Sequence, residues 1–357
     1  MKNIALKFKT EGEIGDISPI ESGLINSTFL VRTIGEHPDY ILQKKNKSIF
    51  GDIPAMMNNI VRVSNHLHAK TVAQGGDPTR EVLHVVETLD GKYYHLDDTG
   101  DYWTMMVYIP DTVVVASATS PEMAFKGGLG IGRFEMLLAD MPGRLHATIP
   151  GFHDLAFRHR QWRDSLDADK GGRKVSVGKE IAEVEKRWPA MLEFWRLVAD
   201  GTIPQRVTHN DTKLGNILFD KDYNVQCVID LDTVMNNTVL ADYGDAIRSF
   251  ANTGAEDDSN LDNIDIDMDI FEAYTRGYLS QAASILNAAE KEWLHFAPMY
   301  ITFEQTVRFL MDYIDGDVYY HIAYPEHNLV RARAQQRLLE QMEKNRGQMR
   351  RIIESAF

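Results

Sequence analysis

The chain holds a single cysteine, Cys227, among 357 residues. No disulfide can form within it, and a reducing compartment fits. Nowhere does it reach the ~18 consecutive apolar residues of a membrane-spanning helix. The opening MKNIALKFKTEGEIG lacks the apolar stretch of a signal peptide. These absences read as a soluble cytoplasmic protein. Basic residues are also scarce: 38 Lys and Arg stand against 52 Asp and Glu, a formal charge of −14. That balance argues against nucleic acid or an anionic membrane surface as main partner. It leaves room for a phosphate ligand wherever a few local donors and a metal ion overcome the background field. Fixed-period repeats and low-complexity tracts are absent too, and the length favours two lobes.

Strand signals come first along the chain. Residues 15 to 45 read as strands, with GLINSTFLVRT carrying a glycine turn before alternating apolar positions and DYILQKK following. A helix should start at Asp52 as N-cap with Pro54 in its first turn, because Ile53, Met56, Met57, Ile60, Val63 and Leu67 recur at helical spacing. EVLHVVET, KYYHL and YWTMMVYIP read as three more strands, with turns at Asp90-Gly91 and near Gly100. After Pro110 helical patterns dominate: 121 to 140, 153 to 168, 178 to 198, 268 to 290 and 326 to 353. The expected architecture is α+β, with a small β-rich lobe over residues 1–109 and a larger, mainly helical lobe over 110–357.

The most informative stretch is VTHNDTKLGNILFD, residues 207 to 220. It sets His209, Asp211, Lys213 and Asn216 between apolar runs. If ILF and VQCVI pair as a hairpin centred near Tyr223, Asn216 lies opposite Asp230. An amide oxygen and a carboxylate at one point suit Mg²⁺, which takes one or two protein ligands and completes its shell from phosphates and water. Asp211 precedes the hairpin and is a second carboxylate, free to act on a substrate hydroxyl. His-x-Asp-x-x-x-x-Asn followed by Ile-Asp is the arrangement of a kinase catalytic loop and metal strand.

HNDTKLGNILFD with VIDLDT resembles the aminoglycoside phosphotransferase and choline kinase-like superfamily, whose members have a protein-kinase-like fold. Within it the chain is most similar to N-acetylhexosamine 1-kinases, through GLINSTFLV, YILQ, SIF, RVTHNDTKLGNIL, IDLDTVM, GDAIR and YPEHNLVR. The resemblance implies ATP and Mg²⁺ as cofactors, nucleotide binding by the first lobe, and catalysis and acceptor binding by the second. It implies Asp211 as the base, Asn216 and Asp230 as metal ligands, His209 bracing the loop and Lys213 facing the phosphate or acceptor. Asp242 would hold the catalytic loop, with Asp245 the alternative and Asp232 behind the metal ligands. Ser22, Gly23, Asn26, Ser27 and Thr28 resemble the loop over the ATP phosphates. Arg308, in EQTVRFLMDY, and Tyr320, in DVYYH, would contact a sugar acceptor, such as GlcNAc or GalNAc at its anomeric hydroxyl. Aminoglycoside, choline and homoserine are the alternative acceptors, and a non-catalytic nucleotide-binding regulator is the alternative outside enzymes.

Two features depart from the kinase pattern. Gln43 stands where a nucleotide-binding lysine is usual, and the helix after it offers no Glu on its inner face. Other signals carry less. GGLGIG at 127 to 132 has no preceding strand, so it reads as the small face of a tightly packed helix rather than a dinucleotide loop. DNIDIDMDIFE lacks the glycine and terminal Glu of a calcium loop and reads as an acidic approach to a helix N-terminus.

Overall fold

The computed structural model describes residues 1–20, 26–115 and 117–357. It is a mixed α+β chain, matching the protein-kinase-like fold, with a smaller antiparallel-sheet part and a larger helical part. Two compact units divide it. The first comprises Met1–Val114, Leu137–Pro150 and Asn216–Asn236, and the second Val115–Met136, Gly151–Gly215 and Asn237–Phe357. Among the described residues no helix is long and apolar enough to cross a membrane.

The first unit is built on five antiparallel strands: β1 (Glu13–Ile20), β2 (Ser27–Ile34), β3 (Tyr40–Lys44), β4 (His95–Leu96) and β5 (Tyr102–Val107), in the order β1-β2-β3-β5-β4. Side chains alternate across a strand. Ile14, Val31, Tyr40, Leu42, Trp103 and Met105 therefore gather on one core with Ala5 of the short helix α1 (Lys2–Ala5), Phe8 and Val86. Helix α2 (Ile53–Ala73) starts at Asp52, whose carboxylate accepts the Ala55 N–H, with Met56, Met57, Ile60, Val63 and Leu67 buried. The strand expected over EVLHVVET does not form. Asp77 caps a single turn, α3 (Pro78–Glu81), and the chain beyond it is extended with only isolated bridges to Phe8 and Met106. KYYHL narrows to the two residues of β4, because the Thr88 hydroxyl and main chain bind Lys92 and close the turn early. A second, three-stranded sheet joins β6 (Val113–Val114), β8 (Ile217–Phe219) and β9 (Val225–Val228).

The second unit holds α4 (Pro121–Leu138), α5 (Leu155–Ala168), α6 (Gly178–Ala199), the short strand β7 (Arg206–Thr208), α7 (Val239–Phe250), α8 (Met268–Ala282), α9 (Ala288–Trp293), α10 (Ala297–Asp315) and α11 (His327–Ala356). The strand β10 (Met235–Asn237) leads into α7. The helix expected over 268 to 290 is two helices, because Asn287 and Glu290 form a reciprocal capping box that starts α9 afresh. Helix α7 is additional to the expected helices. Nearly every residue of α7 is buried: Leu240, Tyr243, Ile247 and Phe250 recur at helical spacing, and Asp242 and Asp245 on the other face are buried by the backbone N–H groups they accept.

Glycines explain one close helix pair. A Cβ at Gly128 of α4 would lie 2.2 Å from the Tyr274 carbonyl of α8, and one at Gly277 of α8 would lie 2.0 Å from the Phe125 carbonyl of α4. The GGLGIG segment is thus the surface that lets two backbones touch. Gly128→Ala should cost about 1–3 kcal/mol through overpacking against main chain and lower the melting temperature accordingly. Gly178→Ala, where nothing lies within 4 Å, should be close to neutral in the same thermal melt.

Candidate active site

In the first unit, strand alternation carries a charge into the core. Gln43 of β3 faces Thr28 of β2, and its amide donates to the Thr28 hydroxyl at 3.3 Å. Two residues on, Lys45 falls on the same face and has a side chain wholly removed from water. A buried ammonium needs a partner. Asp232 supplies it, with both carboxylate oxygens 2.7 and 2.8 Å from Lys45 Nζ, while Gln43 Oε1 accepts from Nζ at 2.7 Å. Asn26 completes the cluster by donating to Asp232 at 2.7 Å and accepting the Asn46 N–H. Lys44 points to the other face, toward Asp101 at 3.4 Å.

A buried lysine thus stands two residues beyond Gln43, and its acidic partner comes from the 3-10 turn Leu231–Thr233 rather than from α2. On α2 Asn59 is fully buried and donates to the carbonyls of Val234 and His146. Sequence reading missed Lys45 and Asn59. The i, i+2 rule that separates Lys44 from Gln43 was the signal for Lys45.

The β8–β9 hairpin runs one residue out of the expected register. Ile217 pairs with Val228 and Asn216 O accepts the Ile229 N–H, so Asn216 lies opposite Ile229, with Asp230 one step beyond. The cause is an irregularity between Leu218 and Phe219 together with a turn closed from Asp220 to Asn224. Asp230 then takes a left-handed conformation, φ 61°, and opens the 3-10 turn. Asn216 and Asp230 thus share one end of the hairpin. No cluster of three or more His, Cys, Asp or Glu suited to a metal occurs among the described residues. An Asn–Asp pair of hard oxygens fits an ion that draws its remaining ligands from phosphates and water. Ser22 and Gly23 lie outside the described residues; Ser27 opens β2, exposed, beside Thr28.

The second unit holds the loop before that hairpin. Asp242, in the first turn of α7 and fully buried, accepts the N–H groups of His209 at 2.7 Å and Asn210 at 2.6 Å. Thr212 ties the far side, its hydroxyl donating to Asp242 O and its N–H to Asp245. Asp245 is neutralised by Arg248. His209 accepts the Asp211 N–H on Nδ1 and packs edge-on against Phe134. His209, Asn210 and Thr212 are all 2% exposed or less, whereas the Asp211 side chain is 28% exposed and receives Lys213 Nζ at 2.8 Å. The loop presents one carboxylate and buries its neighbours.

Close by in the same unit, Arg308 of α10 lies over the rings of Phe152, Tyr319 and Tyr320, 5.5 to 5.8 Å from their centroids. Asp312, one turn further along α10, accepts the N–H groups of Val318, Tyr319 and Tyr320 and so presents both tyrosines.

Residues 16–279 match the family described as the phosphotransferase enzyme family. Among solved structures the chain is similar to a microcompartment-associated aminopropanol kinase, 16% identical over 98% of this chain and 97% of that one, with a TM-score of 0.63. It is also similar to an aminoglycoside phosphotransferase from Alicyclobacillus acidocaldarius, 12% identical over 99% and 96%, TM-score 0.64. A spectinomycin phosphotransferase solved with ADP and spectinomycin matches at 14% identity over 94% of each chain, TM-score 0.57. At these identities the likeness is one of fold.

Burial pushes the Asp242 carboxyl up to about 6, against the pull of His209 and the two backbone donors. Once protonated, it can no longer accept both N–H groups as a carboxylate, and the loop loosens. Turnover should therefore fall as pH drops through about 6. Folding stability should not fall from this step, because a carboxyl raised in the native state binds its proton there preferentially. A pH–rate profile beside a melting series checks both, and Asp242→Asn should erase this limb.

Proposed function

Because the chain belongs to the phosphotransferase enzyme family, we propose that it moves the γ-phosphate of ATP onto a hydroxyl of a small neutral sugar. The acceptor we favour is the anomeric hydroxyl of an N-acetylhexosamine. In this reading residues 1–109 form the nucleotide-binding lobe, and Asn26, Ser27, Thr28, Gln43 and Lys45, with Ser22 and Gly23, serve the phosphates. Asn216 and Asp230 would hold Mg²⁺, which supplies charge neutralisation when bound. Asp211 accepts the acceptor's proton as the new O–P bond forms and the β–γ bridge breaks, with ADP as leaving group. His209 and Asp242 keep Asp211 in place, and Lys213 balances its charge. A cytoplasmic setting suits ATP consumption.

One observation carries the choice of acceptor. Choline-type and amino-alcohol cations are commonly recognised by stacked aromatic rings. Here the rings of Phe152, Tyr319 and Tyr320 already hold a cation, the protein's own Arg308. A guanidinium there repels an ammonium and favours a carbonyl or hydroxyl acceptor, such as the acetamido group of a hexosamine. Contacts from Arg308 and Tyr320 to the sugar follow from the same reading. Lys45, with Asp232 as its acidic partner, also counts against a regulator without catalysis.

The anomeric hydroxyl is the most acidic of a sugar's hydroxyls, and phosphate on it locks the ring. The product should therefore fail a reducing-sugar assay, and Asp211→Asn should lower kcat by ~10²–10⁴ with Mg·ATP affinity nearly intact. A product that still reduces carries its phosphate elsewhere. Turnover of aminoglycosides or amino alcohols with none of either hexosamine would reverse the acceptor assignment.

A further inference from the structure

His153 is buried in the second unit, 5% exposed, and adopts φ 58°. Its carbonyl accepts the Tyr300 hydroxyl, and Phe152 packs on its ring at 4.1 Å. The ring nitrogens face two acceptors. Nδ1 lies 2.6 Å from Glu304 Oε2, and Nε2 lies 3.2 Å from the main-chain oxygen of Asn210. A neutral imidazole carries one N–H and satisfies one of these bonds; only an imidazolium donates to both.

The surroundings support the charge. Glu304 of α10 is 1% exposed and is also bound by Arg158 of α5, at 3.2 and 3.3 Å. Arg308, one turn along α10, adds a second positive field on Glu304, while Asp242 and Asp245 of α7 act on His153 itself. Burial opposes ionisation of His153, but the charge and bond of Glu304 outweigh it and raise its pKa above the ordinary value. Glu304, despite its burial, is held down to about 2, by His153 first and then Arg158.

Asn210 is the residue before Asp211, with φ 67°. Asp242 holds its N–H and His153 holds its carbonyl. We propose that His153 is a positioning residue for phosphoryl transfer: as an imidazolium anchored on Glu304, it grips the Asn210 carbonyl and fixes the peptide that carries Asp211. The proposal rests on Asp211 as the base. When His153 loses its proton, the Nε2 lone pair faces the carbonyl it had bound, and the grip becomes a repulsion. A displacement of ~1 Å at a reacting group can lower the rate by ~10²-fold.

Two measurements test this. The first needs no acceptor: ¹⁵N NMR of the resting protein, with His153 identified by the signals lost in His153→Gln. Both ring nitrogens should stay protonated as the pH rises past the ordinary histidine value. A single-N–H tautomer there overturns the proposal. The second is the alkaline limb of kcat. Glu304→Gln removes the partner that holds the proton on His153, so the limb should move to lower pH by about one unit or more while KM for ATP stays unchanged. A purely structural role would lower kcat by one factor at every pH, and that outcome also overturns the proposal. Absence of turnover with any acceptor would count against the function proposed above, while the NMR measurement still decides the state of His153.

Discussion

A lysine taken wholly out of water must have its charge answered within the fold, and much of the first unit is arranged around that demand at Lys45. Asp232 answers it with both oxygens, and the answer ties together pieces far apart in sequence. Asn26 at the foot of β2, Gln43 in β3 and the turn after Asp230 all meet at this pair. Removing one partner of such a pair strands the other, at a cost of about 3–5 kcal/mol. The pair therefore fixes the position of Asp230 relative to β3 as firmly as any apolar contact does. It also places an ammonium beside Gln43 of β3, and the proposed reading assigns that charge to the nucleotide's phosphates.

The second unit solves a different problem, that of holding a short polar loop still while leaving one carboxylate open. Backbone N–H groups at His209, Asn210 and Thr212 have no strand or helix to pair with, and buried donors must be satisfied. Asp242 and Asp245, three residues apart on α7, take all three. The cost is a buried carboxylate whose pKa rises to about 6, which links the loop's order to pH. Arg248 balances Asp245, and His153 and Glu304 hold the loop's other edge. Asp211 is the member left accessible, and that difference in exposure is what supports the proposal that it acts while its neighbours hold it.

Much of this was legible in the sequence, and the parts that were not share a cause. The loop from His209 to Asn216, the helix N-cap at Asp52 and the glycine face at 127 to 132 are local patterns with local physical reasons. The hairpin register was misread by one residue because an irregularity at Phe219 cannot be seen from apolar runs alone. Helix α7 was within reach, because Leu240, Tyr243, Ile247 and Phe250 recur at helical spacing, but its Asp242 and Asp245 draw attention as site residues rather than as the polar face of a helix. Lys45 was within reach of strand alternation, yet its partner stands 187 residues away. His153 and Glu304 are separated by 151 residues, and no spacing rule joins them. Long-range pairing of charges is set by tertiary packing, which is why the site's supports were harder to find than its exposed carboxylate.

In the function proposed above, this chain binds ATP through Lys45, a lysine two residues beyond the usual place and held by Asp232. Calorimetric titration of Lys45→Met with Mg·ATP and with adenosine tests it most directly. Loss of a charged phosphate contact should weaken ATP by roughly tenfold or more and leave adenosine nearly unchanged, so that the ratio of the two affinities collapses even if the variant is less stable. A folded Lys45→Met protein that keeps the wild-type ratio would contradict the account.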